Sequence, residues 1–377
     1  MADEFKNTGS SRADRPLSFV GADYGVPVGT EEDWRFTPLE RMEEFFADSF
    51  TSDHIEISAR GGVELTEVDR TDSRLGTTIP PEDRVGATTW ESFEKAYVLS
   101  IPRDKKVDEE VVVTFRGTGA DDVAPAHLFV EAQQHSEATV ILDHVGEGKL
   151  AEGVEISLGD GAHLTLVTLQ DWEEHAVHAA SHRIKVGRDA TLKHIVVSLG
   201  GDLIRVTSSV DFAGPGGDVT MLGAYFVDEG QHMEHRLFVD HNVPNAKSNV
   251  AYKGALQGDQ AHSVWVGDVL IGKDAQGTDT YELNRNLILT EGASADSVPN
   301  LEIETGEIEG AGHASATGRF DDEQLFYLMA RGIPEDEARR LVVRGFFAEL
   351  INQIGVNSVQ EKLMAKIEDE LNLTGEL

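Results

Sequence analysis

From about Val85 to Ile308 the chain is a succession of short runs in which apolar and polar residues alternate. They include "AYVLSIP", "EVVVTFRG", "ATVILDHV", "HLTLVTLQ", "TLKHIVVSLGG", "LIRVTSSVDFAG" and "DVTMLGAYFV". A period of two sends successive side chains to opposite faces of a strand, and the Gly, Asp and Asn residues that bound the runs are turn formers. The runs also repeat. "SEATVIL" near Ala138, "GAHLTLV" near Ala162, "RDATLKHI" near Ala190 and "GDVTMLG" near Val219 share a turn residue, a small residue and an alternating strand, at spacings of 24, 28 and 29 residues. That period suits one or two turns of a β-solenoid, in which each coil stacks its strands on the last. A β-sandwich also has closely spaced turns, but it does not need the repeated turn-plus-small-residue frame.

The pattern changes at both ends. In "EEDWRFTPLERMEEFFADSF", Thr37 and Pro38 suit an N-cap and a first helical position, and Leu39, Met42, Phe45 and Phe46 would share one helical face. After Arg319, "DDEQLFYLMARGI" opens with acids and closes on Gly332. "PEDEARRLVVRGFFAELINQIG" spaces Ala338, Leu341, Val342, Phe346 and Leu350 by about a helical turn, and "SVQEKLMAKIEDELNL" does the same with Val359, Leu363, Ile367 and Leu371. The expected organisation is mainly β: an N-terminal region with helices and a mobile start over 1–84, a solenoid core over 85–318, and a C-terminal helical domain over 319–377.

Charge and composition narrow the function classes. With 32 basic and 68 acidic residues the formal net charge is −36, which repels nucleic-acid phosphates. The acids are spread along the whole chain, a distribution expected of a halophile-type surface rather than of one basic partner. No apolar run approaches the roughly 20 residues of a membrane span, and the polar start lacks a secretory signal, so a cytoplasmic location is expected. Cysteine is absent, which excludes thiolate nucleophiles and any Cys-ligated cluster built from this chain alone.

The remaining candidates for chemistry are histidines. His175, His178 and His182 would share a face on a helix and could bind a metal, but on a strand only His178 and His182 point the same way. His232, His235 and His241, with Asp240 beside the last, are a second group with weak HxxH spacing. "RGTGADD" and "GPGGDV" are Gly-rich, yet neither matches a nucleotide-binding loop or leads into a helix, so they are expected to be turns and no nucleotide is expected to bind. His313 stands in "EGAGHASATGRFDDEQLFYLMARGIP", either as a turn histidine among glycines or as a ligand at a close-packed surface.

The segment from "YKGALQGDQAHSVWVGDVL" to "GAGHASATGRFDDEQLFYLMARGIPEDEAR", supported upstream by "EDWRFTPL", "GRDATLKHIVVSLGGD" and "VDHNVPNAKSNVAYKG", resembles the SufB/SufD family, the core subunits of the SufBCD iron–sulfur cluster assembly machine. The resemblance runs from about Glu32 to about Gly355. It implies a right-handed parallel β-helix flanked by helical domains, pairing of SufB with SufD through the β-helix ends, and a SufC ATPase gripped by the C-terminal helices. SufB-like chains carry a cysteine near the place of Asn284 and a Glu-His-Glu before the small-residue run. This chain has no thiol and keeps only the histidine, as SufD-like chains do.

The resemblance therefore implies a non-catalytic SufD-like scaffold. His313 would be a ligand to a transient Fe–S cluster shared with SufB, and Arg344 and Phe347 would contact SufC. A homodimer is an alternative state of the isolated chain. The competing classes are a β-helix carbohydrate-active enzyme, for which an aromatic content of 7% is low, and a purely structural solenoid, which helical ends would stop from polymerising.

Overall fold

The computed structural model describes residues 14–320 and 322–373. The expected mobile start, residues 1–13, lies outside them. The core is a β-solenoid whose coils each contribute a strand to two facing layers. One layer holds the first half of β5 (Glu137–Leu158), β6 (His163–Trp172), β8 (Thr191–Ser198), β10 (Asp218–Val227), β12 (Lys247–Leu256), β14 (Asp279–Ile288) and β16 (Gly310–Arg319). The other holds the second half of β5, β7 (Val177–Val186), β9 (Leu203–Phe212), β11 (His232–His241), β13 (His262–Ile271) and β15 (Ser294–Ile303). Every neighbouring pair within a layer is parallel, and His163, Thr191, Asp218, Lys247, Asp279 and Gly310 lie in register.

Turn chemistry explains the sequence repeat. His135, Gly161, Asp189, Gly216, Asn245 and Gly277 occupy the same corner of successive coils, and each has a positive φ, between 53° and 80°. Gly, Asn and Asp reach that conformation at least cost, which is why they recur there. The residue after each corner is small and enclosed, as at Ser136, Ala162, Ala190 and Ala246. The ladder corrects the repeat in detail. Ala162 and Ala190 are equivalent, but Ala138 pairs with Leu164 and Val219 with Leu192, so those two lie two residues into their strands.

The N-terminal region is not a helical domain. Residues 37–46 form two short 3-10 turns, Leu39–Arg41 and Glu43–Phe46, and Thr37 is not a helix cap. Its hydroxyl donates instead to the buried carboxylate of Glu234 (2.7 Å). The apolar face does dock as expected: Met42, Phe45 and Phe46 pack with Trp34 and Phe50 on Ala151, Val177, Ala179 and Leu203, the outer face of the second layer. Two small strands, β1 (Ile55–Arg60) and β2 (Leu65–Asp69), follow. One α-helix, α1 (Arg84–Ser92), is capped by Asp83, which accepts from the Gly86 amide (2.8 Å).

β1 pairs antiparallel with the start of β4 (Val111–Ala132), and β2 pairs antiparallel with β3 (Lys95–Ile101), which lies parallel on the end of β4. These pairings cover the first edge of the solenoid. Glu155 ties the loop after β2 to the core: its carboxylate accepts from the Gly76, Thr77 and Thr78 amides, the Thr78 hydroxyl and His127.

Three C-terminal helices follow the solenoid: α2 (Asp322–Ala330), α3 (Glu335–Ile354) and α4 (Asn357–Leu373). Gly332 (φ 89°) ends α2 and Gly355 (φ 68°) ends α3. Val343, Phe347, Leu350, Ile351 and Ile354 of α3 and Val359, Leu363 and Ile367 of α4 bury against Val167, Leu169, Ile195, Val197, Leu222 and Phe226, the outer face of the first layer. Where the helices cover them, β6, β8 and β10 therefore carry apolar residues on both faces. Lys193 donates to the carbonyl of Gln353 (2.9 Å), placing a cation at the C-terminal end of α3.

Two predictions follow from this packing. Gly254 lies beside the Tyr225 ring and Gly223 beside the Tyr252 ring, in reciprocal register across β10 and β12, and a methyl on either glycine would overlap the ring. Gly254→Ala is expected to lower stability by about 1–3 kcal/mol, read from thermal or denaturant unfolding; an unchanged midpoint would refute the close packing. Burial opposes charge on Glu155, but His127, Arg183 and the Gly76 amide outweigh it and hold the carboxyl down to about 2. Its contribution is present above the unfolded value of 4.5 and is lost as pH falls toward about 2. Glu155→Gln should cost about 3–5 kcal/mol at pH 7, a gap that closes on acidification below the unfolded value. A gap independent of pH would contradict the assignment.

Candidate functional site at the open end of the solenoid

Because the strands stack in register, each inward-facing position continues as a column through the layer. One column runs Val140, Leu166, His194, Met221, Val250, Glu282, His313. Its early members are core residues. His313 is the last, on β16, where no further strand follows among the described residues, and its side chain is exposed. The sequence left open a turn histidine or a surface ligand; the geometry places it on the inward column, at the mouth of the core. Gly310 and Gly312 are strand residues beside it, not the corners of a tight turn.

The rung beneath is unusually polar. In β14 burial alternates strictly from Asp279 to Asn286, so Thr280, Glu282, Asn284 and Asn286 all face inward. Asn284, expected near the place of a cysteine in SufB-like chains, is fully buried and donates to the Tyr225 hydroxyl (3.0 Å). That hydroxyl donates to Asn286 Oδ1 (2.5 Å), and Asn286 Nδ2 donates to Asn284 Oδ1 (2.9 Å). Thr317, on the same rung as His313, also accepts from Asn286 (3.4 Å). Deeper in, Tyr225 stacks on His235, whose Nε2 meets the Ser198 hydroxyl (3.0 Å), and Ser198 donates to Gln170 (2.9 Å). A polar lane thus leads from the mouth into the core, hydrogen-bonded on either side of the Tyr225–His235 ring stack.

Glu282 differs from its neighbours. It is 1% exposed, and neither carboxylate oxygen has a hydrogen-bond partner among the described residues. Burial, with a smaller contribution from the charge of Asp268, pushes its carboxyl up to about 8. Spacing analysis did not single out Glu282 because acids are frequent everywhere in this chain. The legible signal was its phase, since "TYELNRN" puts a polar residue at each inward position.

The other histidines separate by face, as a strand requires. His175 is exposed in a turn, while His178 and His182 point into the core from β7. His178, His144 and Glu152 bring ligand-type atoms within 4.8 Å of one another. Trp172 Nε1 donates to His178 Nδ1 (3.2 Å), however, which fixes the proton on His178 Nε2, the atom facing Glu152 at 3.1 Å. A nitrogen committed as a donor offers no lone pair, so His178 is held as a donor to Glu152. His144 gives its Nδ1 proton to the Leu169 carbonyl (3.2 Å) and turns Nε2 toward the same carboxylate. Burial opposes the charge of Glu152, yet His144 and His178 hold its carboxyl far below the usual range. His182 and His235 are pushed down to about 4 and about 3 by burial, which keeps these imidazoles neutral.

The second sequence group likewise does not converge. His232 meets Glu234 at the N-terminal docking face, whereas His235 and His241 face the core, the latter against the Ser248 hydroxyl (2.9 Å). Burial and Asp211 raise Asp240 to about 6. "RGTGADD" is not the expected turn but part of β4, where the strand shifts register as it crosses between layers, whereas "GPGGDV" is a coil corner with Gly216 at φ 80°, as expected.

In the C-terminal helices Arg344 is exposed and paired with Glu368. Phe347, expected at a partner surface, is fully buried instead, because at its place on α3 it packs onto the solenoid. The exposed apolar residues nearby are Phe326, Tyr327 and Met329 of α2 and Leu341 of α3. None of the described helices is long and apolar enough to cross a membrane.

Residues 115–346, more than half of the chain, match the family described as SUF system FeS cluster assembly, SufBD core domain. An iron–sulfur cluster assembly SufBD family protein of Mycobacterium tuberculosis is 54% identical over 93% of this chain and 91% of its own length. One of Mycobacterium leprae is 51% identical over 93% and 92%. The SufD protein of Escherichia coli is 24% identical over 92% of this chain and 90% of its own. These likenesses show that the chain belongs to the SufBD family of iron–sulfur cluster assembly proteins.

Proposed function

We propose that this chain is a SufD-like, non-catalytic scaffold subunit that pairs with a thiol-bearing SufB-type subunit through the open end of its solenoid and contributes His313 as one ligand to a nascent cluster. The observation that carries the reading is His313 itself, an exposed imidazole on the terminal rung of a chain without cysteine. A neutral imidazole is a competent iron ligand, and the missing thiolates must then come from a second chain. β15 and β16 each have a strand on one side only among the described residues, so their outer edges can pair with another chain. The cluster is cargo on this reading, held transiently and shared, and the complex works in the cytoplasm. In the absence of the partner the same edges suit a homodimer. The coil is taken as right-handed, the hand that nearly all parallel crossovers adopt.

The reading assigns the C-terminal helices to a SufC-type ATPase, since this chain has no phosphate-binding loop of its own. The contact surface is centred on Phe326, Tyr327 and Met329, which stay exposed after α3 and α4 have docked, with Leu341 and Arg344 beside them. Phe347 takes part only by holding α3 in place.

Two experiments test these assignments. His313→Ala, co-expressed with its partners, should lower cluster yield several-fold by absorbance and iron content while the subunits still co-purify; an undiminished yield would sink the ligand role. Phe326→Asp with Tyr327→Asp should abolish co-purification of the ATPase and leave the melting temperature within a few degrees, because both side chains are exposed. Retention of the ATPase would place its contact elsewhere.

A further inference from the structure

The buried carboxylates of this fold have partners, with one exception. Glu152 is met by His144 and His178. Glu155 is met by His127 and three amides, and Glu234 by Thr37 and Arg236. Glu282, just as buried, has none on either oxygen among the described residues. An uncompensated buried carboxylate is strongly disfavoured, and a proton alone is an incomplete remedy, because the resulting carboxylic acid still has an O–H and a carbonyl with nothing to bond. A cation answers both needs at once.

The register shows where such a cation would sit. Glu282 pairs with His313 on the adjacent parallel strand. Paired residues of neighbouring parallel strands point to the same face about 4.8 Å apart, so the carboxylate and the imidazole stand one above the other, the first buried and the second open to solvent. One carboxylate oxygen and one imidazole nitrogen need to lie only about 3–4 Å apart to hold one ion at about 2.0–2.2 Å each, a closure that side-chain rotation from this backbone spacing supplies. Ser297, whose hydroxyl has no partner, lies on the last rung of the facing layer, on the inward column that continues from Trp265.

We propose that Glu282 and His313 together bind one divalent first-row transition-metal ion at the mouth of the solenoid, with no residue from another chain required for capture. The inference rests on the reading of His313 as a ligand and extends it. The chain would hold a metal ion in advance, with Glu282 as the inner anchor, and present its open coordination positions to whatever docks on the end of the coil. One carboxylate oxygen and one imidazole nitrogen form a set suited to ions such as Fe²⁺, Co²⁺, Ni²⁺ and Zn²⁺. Binding exchanges the proton on Glu282 for the ion, so uptake releases protons.

The test is titration of the purified full chain with Co²⁺ under anaerobic conditions, followed by visible absorbance and calorimetry, for the wild type, Glu282→Gln and His313→Ala. Glu282→Gln keeps the shape and removes the ionisable carboxyl, so it should fold, and circular dichroism melts check this. The expected result is a single Co²⁺ site in the wild type with affinity lowered at least about tenfold in each variant. No site in the wild type, or equal affinity in all three proteins, overturns the inference. Loss in His313→Ala with none in Glu282→Gln overturns the role of Glu282 while leaving His313 as a ligand. A Co²⁺ site that behaves as expected beside undiminished cluster yield in the His313→Ala complex would uphold metal binding and overturn the cluster-ligand reading, so the two are separable.

Discussion

The in-register parallel ladder is the constraint on which the rest of this structure depends. A strand that pairs in parallel register with its neighbour repeats the same inward and outward assignment, so one residue's environment is set by the residue one coil away. The corners must then fall at equivalent places, and each needs a positive φ followed by a small residue. Tyrosine can enter the stack only where the next coil supplies glycine, as Tyr225 and Tyr252 do with Gly254 and Gly223. The core is thus a set of columns, each of which ends at a terminal rung.

The same rule lets inward polar residues find partners on the coils above and below and on the facing layer, as in the lane from Asn286 to Tyr225 and, across a ring stack, from His235 through Ser198 to Gln170. The outer faces obey another logic. There Glu234 and Glu155 pair with arginines of neighbouring strands and accept from amides and hydroxyls of the N-terminal region, which fastens irregular segments to a regular surface. The helices cover the other layer with apolar contact. The first edge of the coil carries antiparallel strands, whereas the last, at His313, carries no further strand among the described residues.

The sequence by itself determined the solenoid, because corner residues and alternation are local properties and recur at a constant phase. It determined the C-terminal helices too, since Val359, Leu363 and Ile367 carry a helical period that tertiary contacts reinforce. It also singled out His313 among small residues. Tertiary structure alone decided the N-terminal region: Thr37 and Pro38 are good helix starters, but the hydroxyl is drawn to Glu234, nearly two hundred residues away, and the chain settles for 3-10 turns. It also decided that Phe347 faces inward and Phe326 outward, since both stand in helical sequence and only the position of the solenoid distinguishes them. Glu282 was one acid among 68; what sets it apart is that the ladder turns it away from water and stacks it under His313, a relation between residues 31 positions apart that only the closed coil creates.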